Sequence, residues 1–121
     1  MSNLDAKLSE LSDVGGFLGT CLVDHESGMV LAAIGGSESF DLDAAAAGGT
    51  EIMRSTNMAM RLMGGREQCE DILVSWPSQH HLIRVVPKDN GLFLLLALRT
   101  EVSNLALARR RLLLTADSVQ I

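Results

Sequence analysis

Three histidines, two cysteines and scattered serines and carboxylates are the side chains of this sequence that could do chemistry. Asp24, His25 and Ser27 stand close together and supply the residue types of an orienting acid, a base and a nucleophile. They fall in an expected turn, where such groups bond neighbouring backbone N–H groups, and no Gly-x-Ser-x-Gly elbow accompanies them. His80 and His81 are adjacent on an expected strand, so their rings point to opposite faces and cannot hold one metal together. Cys21 and Cys69 form no zinc-ligand pattern and read as two apolar thiols of a reducing cytosol. Gly16-x-x-Gly19 precedes and enters a strand, and no Lys-Ser or Lys-Thr follows any glycine cluster, so no phosphate loop emerges. Glu67, Glu70 and Asp71 flank the start of a strand and read as solvated edge protection. Arg109-Arg110-Arg111 fans round a helix and reads as a solvated face. The sequence therefore predicts no enzyme, no metal and no cofactor.

Composition narrows the classes further. The chain has 121 residues, 47% of them apolar and 21% charged, enough for one domain, 1–121, with a real core. A formal charge of −5 and 3% aromatics argue against a nucleic-acid partner. The longest apolar run, Leu92 to Leu98, is far short of the about 20 residues a membrane span needs. Met1-Ser2-Asn3-Leu4-Asp5 lacks the basic and apolar blocks of a secretion signal, which makes the cytoplasm the expected address. Arginine outnumbers lysine eight to two beside abundant Ala and Gly, which fits a bacterial source with a GC-rich genome.

The elements follow from hydrophobic periodicity. Leu4, Leu8 and Leu11 predict a short helix over 3–12, ended by Val14-Gly15-Gly16. Phe17–Val23 and Met29–Ile34, joined by a segment from Asp24 to Gly28, predict a hairpin. Leu42, Ala46, Gly49, Met53, Thr56, Met60 and Met63 step by four and three, and Ala45, Ile52 and Ala59 widen the stripe, predicting a helix over 41–63 laid on a core. Ala44 to Gly49 strips that helix of bulk for nearly two turns, which implies close approach of the sheet beneath or of a partner helix. Met58 and Leu62 fall nearly opposite the core stripe and hint at a second covered surface. Strands are expected over 71–76, with Ile72, Val74 and Trp76 on one face, over 80–86, and over 92–98, the last apolar on both faces and hence mid-sheet. A helix over 101–118, carrying Val102, Leu105, Ala108, Leu112, Ala116 and Val119 near helical spacing, completes an α-β-β-α-β-β-β-α order. This is an α/β (α+β) sandwich on a five-stranded antiparallel sheet.

That order, with Val14-Gly15-Gly16-Phe17-Leu18-Gly19, Asp24, Gly28 and Leu31 in the hairpin, and Asn104-Leu105-Ala106-Leu107-Ala108-Arg109, resembles the roadblock/LC7 family, its bacterial MglB-like branch in particular. The resemblance implies a profilin-like sandwich that dimerises with itself or a paralogous roadblock chain, middle helices side by side and third strands paired. It places Ala46, Gly49, Met53, Met60, Ile72, Val74 and Trp76 at the dimer interface. It also implies a non-catalytic regulator or binding partner of a small Ras-like GTPase in a bacterial signalling system, meeting that partner through Arg54, Met58, Arg61 and Leu62. The alternatives are a pure protein-assembly scaffold and a small-molecule sensor.

Overall fold

A strand apolar at every position is stable only with neighbours on both edges and cover on both faces, and Leu92 to Leu98 has both. The computed structural model describes residues 2–120; Met1, Ile121 and the side chains of Ser2 and Val102 lie outside the described residues. The elements are α1 (Ser2–Ser9), a 3-10 turn (Glu10–Asp13), β1 (Phe17–Asp24), β2 (Met29–Gly35), α2 (Leu42–Leu62), β3 (Asp71–Ser75), β4 (Gln79–Val85), β5 (Leu92–Arg99), a 3-10 turn (Thr100–Val102) and α3 (Leu105–Ser118). The sheet runs β2-β1-β5-β4-β3, and each neighbouring pair is antiparallel.

Two separate cores lie on the two faces. Leu8, Leu11, Ala108, Leu112 and Ala116 of the α1/α3 side pack with Leu22, Leu82, Leu94, Leu96 and Leu98. On the other side Leu42, Ala46 and Met53 of α2 pack with Cys21, Val23, Ile83, Phe93 and Leu95. β5 feeds both cores by alternation, as strand geometry requires.

Local chemistry fixes the element ends. Asp41 caps α2, its Oδ1 accepting from Ala44 N at 3.0 Å, and Asn104 caps α3, its Oδ1 accepting from Leu107 N at 3.1 Å. That second cap is why α3 begins at Leu105 and not at Glu101 as expected. In the β1–β2 turn Asp24 Oδ1 accepts from the N–H groups of Glu26 at 3.0 Å and Ser27 at 3.4 Å. Gly35 has φ +94°, and a Cβ there would lie 2.8 Å from Gly19 Cα, so only glycine lets β2 close on β1 at that point.

The α2 stripe holds through Met53 and then leaves the core. Thr56 and Met60 are half-buried, while Ala59 and Met63 are exposed. The expected extension of the buried stripe to Met63 is thus corrected: beyond Met53 the helix is only partly covered, with Thr56, Asn57 and Met60 half-buried and Asn57 Oδ1 accepting from Cys69 N at 3.1 Å.

Candidate interaction surface

Helix placement leaves one edge of the sheet open. α2 lies chiefly over β1 and β2, and α3 over β4 and β5. The edge strand β3 therefore receives neither helix squarely, and one side of its backbone ladder is unpaired among the described residues. Cross-strand register puts Ile72 opposite Ile83 and Val74 opposite His81 on the α2 side. On that side an open trough of about 300 Å3 runs between α2 and the sheet, walled by Phe40, Ala44, Gly48, Ile52, Trp76 and His81 among others.

The trough's aromatic end is well defined. The His81 ring meets Trp76 edge-on, centroids 4.6 Å apart, and meets Phe40 at 5.8 Å and 87°. Its Nε2 bonds Gln79 Oε1 at 2.7 Å. Burial holds its pKa below the ordinary imidazole value. Trp76 remains 44% exposed.

The structure redistributes the seven interface candidates. Ile72 and Val74 are half-buried and share the open face with Trp76. Ala46, Gly49 and Met53 are buried within their own chain, and Gly49 also borders the trough. Ala46 and Met53 are fully enclosed, and a Cβ on Gly49 would meet Leu95 Cδ1 at 3.1 Å and the Phe93 ring at 3.3 Å. Met60 is half-buried beside Gly65 at the helix end. Of the glycine pair it is Gly48 that faces outward: a Cβ there would have nothing within 4 Å. Gly48, Phe40, Ile52 and His81 are the trough residues that sequence reasoning missed. A helical wheel separates Gly48 from Gly49 by about 100°, which was the available signal.

The four partner candidates lie on the outer side of α2. Met58 is 53% and Leu62 81% exposed, and Met63 beyond them is 73% exposed. Arg61 is exposed and borders a polar hollow with Asn57, Arg66 and Glu67. Arg54 is engaged within the chain: Nη1 pairs with Glu51 Oε1 at 3.1 Å and Nη2 donates to the Glu26 carbonyl at 3.1 Å. It thereby ties the β1–β2 turn to α2.

The groups that could do chemistry are used structurally. His25 Nε2 bonds the Asn90 carbonyl at 2.8 Å, and Ser27 Oγ accepts from Met29 N at 3.2 Å, so Asp24, His25 and Ser27 form turn contacts rather than a relay. Ser75 Oγ and His80 Nδ1 are 2.8 Å apart on the exposed surface. Burial, with Asp43 adding, pushes the Cys21 thiol up to about 12, and burial likewise raises Cys69. Neither is a ready nucleophile near neutral pH. Among the described residues no cluster of three or more His, Cys, Asp or Glu is placed to hold a metal, and no helix is long and apolar enough to cross a membrane. Asp71 corrects the expectation of a merely solvated edge: it pairs with Arg109 Nη2 at 2.5 Å and with Arg84 Nη1 at 3.8 Å. Arg111, from the run expected to be a solvated face, donates to the Glu10 carbonyl at 2.7 Å.

No family model matches the sequence, and a search of curated proteins finds no relative. Comparison of structures does. MglB of Myxococcus xanthus superposes with a TM-score of 0.81 at 16% identity, over 96% of this chain and 84% of that one. A Roadblock/LC7 domain from Streptomyces avermitilis gives 0.81 at 18% identity, over 95% and 92%. An MglB in a tetrameric arrangement gives 0.79 at 16% identity, over 97% and 85%. With the five-stranded antiparallel sheet, the single long helix on one face and the terminal helices on the other, this chain has the roadblock/LC7 fold, in the form MglB shares.

Proposed function

We propose that this chain forms a roadblock-type dimer and, as that dimer, regulates a small Ras-like GTPase in the bacterial cytoplasm without contributing a catalytic group of its own. The observation that carries the reading is the outer face of the last turns of α2, where Met58 and Leu62 stand exposed beside Arg61. Contiguous exposed apolar surface with a charged rim is characteristic of protein recognition. Met58 and Leu62 supply the apolar contact and Arg61 a planar donor at its edge. Arg54 serves the surface indirectly, by fixing the turn beside it.

The dimer uses the open edge. A second β3 pairs with the first, Ile72, Val74 and Trp76 are covered, and the two α2 helices approach over Gly48 and Ala44, where side chains leave room. A fold relative solved in a tetrameric arrangement supports self-association as a property of this architecture.

The test is capture from the source lysate by tagged protein, with GDP and with a non-hydrolysable GTP analogue, comparing the wild type with a Met58→Asp, Leu62→Asp double variant. Enrichment of a GTPase in one nucleotide state, lost in the variant while the dimer persists in light scattering, is the expected result. Retention of the same partners in both nucleotide states and by both proteins would replace the regulator with an assembly scaffold.

A further inference from the structure

The opposite face of β3 holds a second opening. Because α3 stops short of β3, a cavity of about 260 Å3 remains between them, bordered by Leu73 and Leu82 of the sheet and by Leu105, Leu112 and Leu113 of α3. Its apolar lining is aliphatic throughout, so it suits a flexible aliphatic chain better than a flat ring. Its volume is just under the range of about 300–1,000 Å3 usual for ligand pockets, which limits the occupant to a small one.

The charges at its rim do not balance. Arg84 and Arg109 both reach Asp71 Oδ2, so two cations share one carboxylate and leave a formal excess of one positive charge. Arg109 makes the short contact and Arg84 the long one. The Nε of Arg84, shielded from solvent, has no hydrogen-bond partner among the described residues. A shielded donor on a cation without an acceptor is costly, and such groups are normally satisfied. The guanidinium of Arg109 is largely exposed and has donors to spare.

We propose that this cavity binds a small aliphatic monocarboxylate, its chain among the leucines and its carboxylate shared by the guanidinium groups of Arg84 and Arg109. The anion neutralises the surplus charge and, with a rotation of the Arg84 side chain, supplies the missing acceptor. A neutral alcohol of the same chain length satisfies the leucines only, and an alkylammonium is repelled at the rim. The site lies across the sheet from α2, so it stands independently of the GTPase reading.

The test is titration of the intact protein with octanoate, 1-octanol and octyltrimethylammonium, followed by calorimetry. Octanoate should bind saturably at one site per chain, at least tenfold more tightly than either control. Arg84→Gln should weaken octanoate at least tenfold and leave octanol unchanged. Arg109→Gln, at an exposed position, should weaken octanoate several-fold. Absence of saturable octanoate binding overturns the proposal. So does equal affinity for octanoate and octanol, or wild-type octanoate affinity in a folded Arg109→Gln protein together with a folded Arg84→Gln protein.

Discussion

Trp76, just past the end of β3, and His81 of β4 have ring centroids 4.6 Å apart and planes at 62°, at the trough beside the free edge of the sheet. Trp76 is the sole tryptophan, so it reports on that edge alone. Diluting the dimer to monomer should shift its emission to the red as water reaches the indole. Trp76→Arg should give a monomer at concentrations where the wild type is dimeric, with unchanged far-UV circular dichroism. A dimer of wild-type affinity in that variant would move the seam elsewhere.

His81 makes stability fall on acidification. Burial lowers its folded pKa below the ordinary value near 6.5, so between those two values the unfolded chain binds more protons than the folded one. Stability conferred by the neutral ring is complete above about pH 6.5 and declines as pH falls towards the folded pKa. Asp41 is the carboxylate that borders the same trough, and its Oδ1 is committed to the α2 cap. Urea melts of the wild type and His81→Phe between pH 7.5 and 5 should show a steeper loss for the wild type; parallel curves would assign the slope to other groups.

The two adjacent glycines of α2 should respond in opposite ways. Gly48→Ala adds a methyl into open space and removes a helix-propensity penalty of about 0.8–1 kcal/mol, so the monomer should melt higher. Gly49→Leu drives a side chain into Leu95 and Phe93 and should destabilise by about 1–3 kcal/mol through overpacking alone. Gly48→Leu should leave the fold intact and weaken the dimer. Thermal melts with sedimentation read out both properties.

Removing the α2 cap isolates a local term. Asp41→Ala leaves the Ala44 N–H without its acceptor and should cost about 1 kcal/mol, whereas Asp41→Asn should restore most of it. Equal losses in both variants would mean that charge at the helix start, not the hydrogen bond, is what matters.

The element order and the antiparallel sheet were legible because the signals are local: the two-sided apolarity of Leu92 to Leu98, the Asp24-to-Gly28 turn, and the four-and-three steps from Leu42 to Met53. The stripe misled beyond Met53, since periodicity reports that a helix is amphipathic and not how deeply each of its turns is covered. The small residues of α2 implied a close approach by the sheet or by a partner helix, and only the third dimension shows that Leu95 and Phe93 of the sheet are what Gly49 meets. Asp71 and Arg109 are distant in sequence, so neither their pairing nor the Arg84 imbalance beside it leaves a local trace.

The central position of β5 has a kinetic cost. β1 cannot complete its ladder until β5, made some seventy residues later, slides between it and β4: Thr20 pairs with Leu96, and its hydroxyl donates to the Leu95 carbonyl at 2.7 Å. The β1–β2 and β3–β4 pairs are local and can form as soon as each is synthesised, but they remain two unconnected ribbons until the last strand zips them together. Such non-local closure slows folding. Once made, Leu92 to Leu98 lacks cover on one face until the α3 residues Ala108, Leu112 and Ala116 follow it, so rapid docking of that helix protects the emerging polypeptide from aggregation.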